Sequence, residues 1–167
     1  MFEQVFRSGI QRGPLFQLVV RRSVEELLAL PQKLWLEDLT QLFRLFYQRW
    51  HHMLLLPHLL NPTFPGSHDV GGADADLVID GCLLDIKTSI SSQVKAEYLY
   101  QLAGYLLLDY DDHLHLNALG IYMARQGFSI TWPVAEFLHQ LTGDDRVTLA
   151  ALRQTFRVIC EQAGSSS

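Results

Sequence analysis

Apolar and polar positions recur along this chain with two different periods, and the switches between them outline an α/β order of elements. In residues 34–55, Leu39, Leu42, Phe43, Phe46 and Trp50 recur at intervals of three and four, which puts them on one helical stripe expected to be buried. Ahead of it, residues 15–21 (LFQLVVR) have strand composition. Ser23 and Glu26 form an S-x-x-E capping box for a short helix over 24–30 that Pro31 ends. The prolines and glycines of 57–72 read as loop, with an edge-like strand around 59–64. A further helix is expected over 95–110, apolar enough (Leu99, Leu102, Leu106, Leu107) to lie against a sheet. Residues 117–124 and 128–134 read as a strand pair around the turn Arg125-Gln126-Gly127, and two helices follow over 134–141 and 147–161. Strands alternating with helices give a mixed central β-sheet flanked by helices.

Residues 73–88 (ADADLVIDGCLLDIKT) place two β-rich runs around Asp80-Gly81, a dipeptide suited to a two-residue turn with positive φ. Counting outward pairs Ile79 with Cys82, Val78 with Leu83, Leu77 with Leu84, Asp76 with Asp85 and Asp74 with Lys87. Alternation then puts Ala75, Leu77, Ile79, Cys82, Leu84, Ile86 and Thr88 on a core face, and Asp74, Asp76, Val78, Leu83, Asp85 and Lys87 on the other. Opposed side chains have Cβ atoms roughly 4.5–5.5 Å apart, where like charges destabilise a sheet. A divalent cation held by Asp76 and Asp85 would give that juxtaposition a purpose, and an oxygen-only donor pair suits Mg²⁺ or Mn²⁺. The plainer reading is a solvent-facing sheet with an ordinary Asp74–Lys87 ion pair.

An aspartate on one strand, Asp85-Ile86-Lys87 on the next and Gln-x-x-x-Tyr (Gln101, Tyr105) in the following helix resemble the PD-(D/E)XK nuclease superfamily, in its RecB-like branch. Gln101 and Tyr105 are four apart and so share a helix face. The resemblance spans roughly 57–134 and is carried by 73–105. It implies a restriction-endonuclease-like core and a catalytic set of Asp76, Asp85, Lys87, Gln101 and Tyr105, with Asp76 and Asp85 on the metal. It also implies nucleic acid as the substrate, DNA ahead of RNA, with the choice between them left open by the sequence. The chain departs from the family's fullest pattern in having Ala75 where a proline often precedes the first aspartate, and Asp85 where Glu is frequent. The family's upstream acid or histidine has several candidates here: Glu25, Glu26, Glu37, His51, His52, His58 and His68.

Bulk properties narrow the alternatives. At 167 residues with 49% hydrophobic and 19% charged, the chain is expected to form one domain: a helical part over 1–56, the core over 57–134, helices over 135–162 and a frayed tail over 163–167. No run reaches the roughly 18–20 apolar residues of a membrane span, and 1–13 lack a signal-peptide pattern, so no membrane and a cytoplasmic location are expected. Net charge is −5, split as seven basic against five acidic residues in 1–60 and six against thirteen in 61–167. Phosphate contacts would therefore come from local arginines such as Arg7, Arg12, Arg21, Arg22, Arg44, Arg49 or Arg125. Cys82 and Cys160 match no metal spacing, and Cys82 reads as a buried free thiol. Asp109, Asp111 and Asp112 read as a solvated acidic loop, and 90–93 as a loop over the site. No P-loop or G-x-S-x-G elbow occurs, and the histidines show no zinc spacing. A nuclease-like module that binds nucleic acid or recruits a protein without hydrolysis is the second reading, and an interaction protein using the aromatic stretch 43–50 is the third. A homodimer or a larger nuclease assembly fits the small size.

Overall fold

The structure, a computed structural model, describes residues 32–164. The chain divides into two units, Met1–Phe43 and Arg44–Ser167. Of the first unit the described residues are 32–43, the beginning of helix α1 (Lys33–Trp50). The strand expected at 15–21, the capped helix at 24–30, Glu25, Glu26 and the end of the tail lie outside the described residues.

Helix α1 ends at Trp50, sooner than its periodicity suggests, and a short 3-10 turn, Met53–Leu55, follows. Its apolar stripe is buried only at the end: Trp50 is 8% exposed, whereas Leu39 and Phe43 are 63% and 62% exposed. Periodicity says which side chains share a face, not what covers that face. In the larger unit Phe46 and Trp50 pack edge-on against Tyr122 at ring distances of 5.6 and 6.4 Å.

Among the described residues, five strands form one mixed sheet in the order β1 (His58–Leu60), β2 (Leu77–Ile79), β3 (Cys82–Lys87), β4 (Ala118–Met123) and β5 (Phe128–Pro133). All neighbours are antiparallel except β3 and β4, which run parallel and are joined through helix α2 (Ala96–Leu108). Asp80 and Gly81 turn the β2–β3 hairpin with φ of +49° and +75°. The register is the expected one over Ile79–Cys82, Val78–Leu83 and Leu77–Leu84. Helices α3 (Val134–Thr142) and α4 (Leu149–Gly164) complete the α/β fold. Strand β1 is shorter than the expected 59–64. Pro62 has no N–H to pair, and the chain beyond β1 continues through bonds from Asn61 N–H to Asp76 and from Ala75 N–H to Pro62.

The division of the hairpin into one core face and one open face does not hold. Leu77, Ile79 and Leu84 on one side and Val78 and Leu83 on the other are all at most 5% exposed. Val78, Leu83, Leu119, Ile121 and Met123 pack with Leu102, Tyr105 and Leu106 of α2 in one core. A parallel pair with a helical crossover needs cover on its face, and α2 supplies it over the very face that carries Asp85 and Lys87.

The acidic turn after α2 also differs from expectation, because Asp109 is fully buried. Its carboxylate accepts the N–H groups of His113 and Leu114 at 2.9 and 3.2 Å, and Arg153 of α4 reaches it at 3.3 Å. Arg153, itself 5% exposed, also donates to the Leu106 carbonyl (3.0 Å) and to Asp112 (2.8 Å). One guanidinium thus caps the C-terminus of α2 and joins it to α4. Nothing in the local sequence identifies an arginine more than forty positions away as the partner. Arg153→Ala is expected to destabilise the protein by about 3 kcal/mol, since it strips a buried carboxylate of its counter-charge. Urea unfolding of the two proteins measures this. Arg153 holds the Asp112 carboxyl below its ordinary 3.8, so that pair's contribution is present at neutral pH and is lost as the pH falls below that value.

Candidate active site

The regular β2–β3 ladder stops at Leu77–Leu84, one pair short of the two aspartates. Continued, it would direct the Ile86 N–H to Ala75. Instead the chain bends at Asp76, and Asp76 Oδ2 accepts that N–H at 2.6 Å. The side chain thus replaces a ladder bond, which pins the first aspartate to the strand that carries Asp85 and Lys87. Asp74 bridges to Thr63. The cross-strand ion pair of Asp74 with Lys87 that the plainer reading held does not form. Lys87 pairs with Asp85 of its own strand, with Nζ 2.6 Å from Oδ2. Residues two apart on a strand share a face, and the bend takes Asp74 out of the ladder that would have opposed it to Lys87.

Asp85 is 2% exposed and sits at the rim of the apolar core, with Leu83 beneath it on the same face. Helix α2 completes the site. Lys87 Nζ donates to Gln101 Oε1 at 2.6 Å, and Gln101 Nε2 donates to the Tyr105 hydroxyl oxygen at 2.6 Å. The amide has one workable orientation, because an ammonium can only donate and so requires the oxygen end of Gln101. The Tyr98 ring flanks the same ammonium, its centroid 4.8 Å from Nζ. Tyr105 is held from below by Phe64, whose ring stacks on it at 5.3 Å and 19°. Phe64 is tied down in turn by the buried Ser67, whose hydroxyl accepts the Phe64 N–H at 2.8 Å and donates to the Ala73 carbonyl at 2.6 Å.

The structure therefore brings together all five residues singled out in the sequence: Asp76, Asp85, Lys87, Gln101 and Tyr105. The supporting roles of Tyr98, Phe64 and Ser67 were not anticipated. Tyr98 had a signal, standing three residues before Gln101 on the same helix face; Phe64 and Ser67 lie in a loop whose contacts are all long-range. Of the upstream candidates, Glu37 lies in the first unit and pairs with Lys33 at 3.6 Å. His51 and His58 bond to the carbonyls of Tyr47 and Leu56 at 3.0 Å, and His52 and His68 are exposed. Among the described residues no three His, Cys, Asp or Glu side chains form a cluster that could hold a metal ion. Arg125 donates to the Thr88 carbonyl at 2.9 Å and Gln126 to the Ile90 carbonyl at 2.9 Å, so the β4–β5 turn anchors the start of the loop after Lys87. Cys82 is a free, half-buried thiol whose pKa burial pushes up to about 11. Among the described residues no helix is long and apolar enough to cross a membrane.

The electrostatics follow from this packing. Burial pushes the Asp76 carboxyl above its ordinary value. The charges of Asp85 and Asp74 push the same way, against the Ile86 N–H and Lys87. Burial also raises Tyr105 to about 12, with the three aspartates adding to the effect and the Gln101 bond opposing it, so the phenol keeps its proton at neutral pH. No family model, curated protein or solved structure matched the chain.

A carboxyl raised on folding binds more protons folded than unfolded, so its contribution to stability falls as the pH rises from 3.8 through the raised value. Asp76→Asn is therefore expected to stabilise the metal-free protein at pH 7. The gain should disappear in acid, where both forms are neutral. Urea unfolding in a chelating buffer at the two pH values tests this.

Proposed function

We propose that the protein is a metal-dependent nuclease that hydrolyses the phosphodiester bonds of nucleic acid, DNA rather than RNA, with Asp76 and Asp85 holding a divalent cation. The observation that carries this reading is the continuous set Asp85–Lys87–Gln101–Tyr105, joined by three contacts of 2.6 Å, with Asp76 bonded to the same strand. The D…DxK…QxxxY order and the parallel β3–β4 pair bridged by α2 support a restriction-endonuclease-like core.

The residues fit such an ion. The donor pair is carboxylate oxygen only, and the charged form of Asp76 is disfavoured by burial and by its acidic neighbours, a penalty a cation would reverse. Mg²⁺ is commonly held by one or two carboxylates, with waters and substrate phosphate filling the remaining positions. When bound, the ion supplies Lewis acidity toward a phosphate oxygen and a hydroxide from water at neutral pH.

The chain's own groups do the rest. Asp76 is fixed by the Ile86 N–H and Asp85 by its place on a strand in the middle of the sheet. Lys87 brings positive charge and N–H donors to the rim, where phosphate charge grows during displacement. Gln101 directs the ammonium, and the protonated Tyr105 sets the direction of Gln101. Leu83, Leu119 and Ile121, all fully buried, close the floor of the site to water and so strengthen these interactions.

Calorimetry with Mg²⁺ and Mn²⁺ on the parent, Asp76→Ala and Asp85→Ala tests the reading, with cleavage of single- and double-stranded DNA and RNA followed in the same samples. Binding and metal-dependent cleavage in the parent should be lost in both variants. Lys87→Ala should remain folded and lose roughly 10²–10³-fold in cleavage rate, the usual cost of removing one transition-state donor. A folded parent that neither binds metal nor cleaves with nucleic acid present would leave a nuclease-like module that binds or recruits without hydrolysis.

A further inference from the structure

Lys87 poses a physical problem that Asp85 and Gln101 do not solve by themselves. Its ammonium sits on a flexible four-carbon stem at a rim where 17% of the side chain remains exposed. Asp85, its one ionic partner among the described residues, is also the carboxylate assigned to the divalent ion, so that contact weakens when the ion binds. Gln101 would then be left as a single neutral acceptor. A fourth carboxylate would hold the lysine but would further penalise Asp76, which Asp74 and Asp85 already burden.

An aromatic face meets both requirements. It offers negative potential to a cation, adds no net charge, and uses up none of the ammonium's N–H groups by conventional hydrogen bonding. Tyr98 supplies such a face, with the ring centroid 4.8 Å from Lys87 Nζ. Its body is half-buried against the core, which fixes the ring's place. Tyr98, Gln101 and Tyr105 stand at i, i+3 and i+7 on one face of α2, so one helix surface carries the uncharged side of the lysine's seat, opposite Asp85 of β3. We propose that Tyr98 is a positioning residue, holding the Lys87 ammonium through its ring face so that the lysine stays aimed when Asp85 engages the cation. This deepens the phosphodiesterase reading and rests on it.

The test compares the full-length parent with Tyr98→Phe and Tyr98→Leu, the second keeping apolar bulk without a π face. The chain has three lysines, Lys33, Lys87 and Lys95, so lysine-labelled protein gives a side-chain NMR spectrum that Lys87→Arg assigns. In metal-free protein the Lys87 side-chain protons nearest the ring should carry a ring-current shift that Tyr98→Phe keeps and Tyr98→Leu removes. In cleavage assays with Mn²⁺, Tyr98→Leu should lower kcat roughly three- to tenfold at unchanged KM, in the range of a partly desolvated cation–π contact. Tyr98→Phe should stay within about twofold of the parent by the same reasoning. Equal effects of Phe and Leu, or a Lys87 spectrum indifferent to Leu, would overturn the proposal. Tyr98→Met gives the same non-aromatic comparison if the leucine variant unfolds. A parent that cleaves no nucleic acid would sink the phosphodiesterase reading and the positioning role with it, while the NMR comparison would still report whether the ring seats the lysine.

Discussion

A turn of two residues with positive φ at both positions sets the register of β2 against β3, and the geometry of the acidic site descends from that register. Asp80 can adopt φ of +49° at modest cost and Gly81 φ of +75° at almost none, so the strands on either side are held in one alignment. A slip of one residue would turn Asp85 and Lys87 to the opposite face of the sheet, away from Gln101. The turn is braced from outside the hairpin as well. A Cβ on Gly81 would lie 2.6 Å from the Asn117 side-chain amide, whose Nδ2 donates to the Asp80 carbonyl at 3.2 Å. The start of β4 is thereby tied to the same corner.

Register alone does not make a site, because β3 brings its lysine and aspartate only to the edge of an apolar surface. Helix α2 adds the polar groups that give those charges direction, and its own position is set by contacts along its C-terminal half. In its C-terminal half, Phe64 stacks on Tyr105, and Phe64 is held by the Ser67 hydroxyl that also binds Ala73 at the entry to the hairpin. At its C-terminus, Arg153 satisfies the Leu106 carbonyl and the Asp109 carboxylate together. Loop, hairpin and two helices are thus joined by a few buried polar contacts around one hydrophobic cluster, where such contacts specify position as well as contributing energy.

The same arrangement works against stability at one point. Asp76 is partly buried near two further carboxylates, so its charge is disfavoured in the folded protein. Groups whose protonation balance is shifted by burial and like charges gather at functional sites, where a bound ion or ligand can relieve the penalty. Lys87 offsets part of it from within. It sits 2.6 Å from Asp85, and its charge also opposes the rise of Asp76.

Much of this could be read in the linear chain. The hairpin register followed from Asp80-Gly81 and strict alternation, and the meeting of Gln101 with Tyr105 followed from their spacing of four on a helix. These are local rules, set by dihedral preferences and by the pitch of each element, and they need no knowledge of the rest of the fold. Tertiary structure decided the features that depend on distant partners. It ended the ladder at Leu77 and turned Asp76 onto the Ile86 N–H, covered both faces of the hairpin, and buried Asp109 against Arg153. It also left the Leu39 and Phe43 end of the α1 stripe exposed and placed Tyr98 over Lys87. Periodicity and turn chemistry say what a segment can present, but which groups receive it depends on contacts between residues far apart in sequence, for which no local spacing exists.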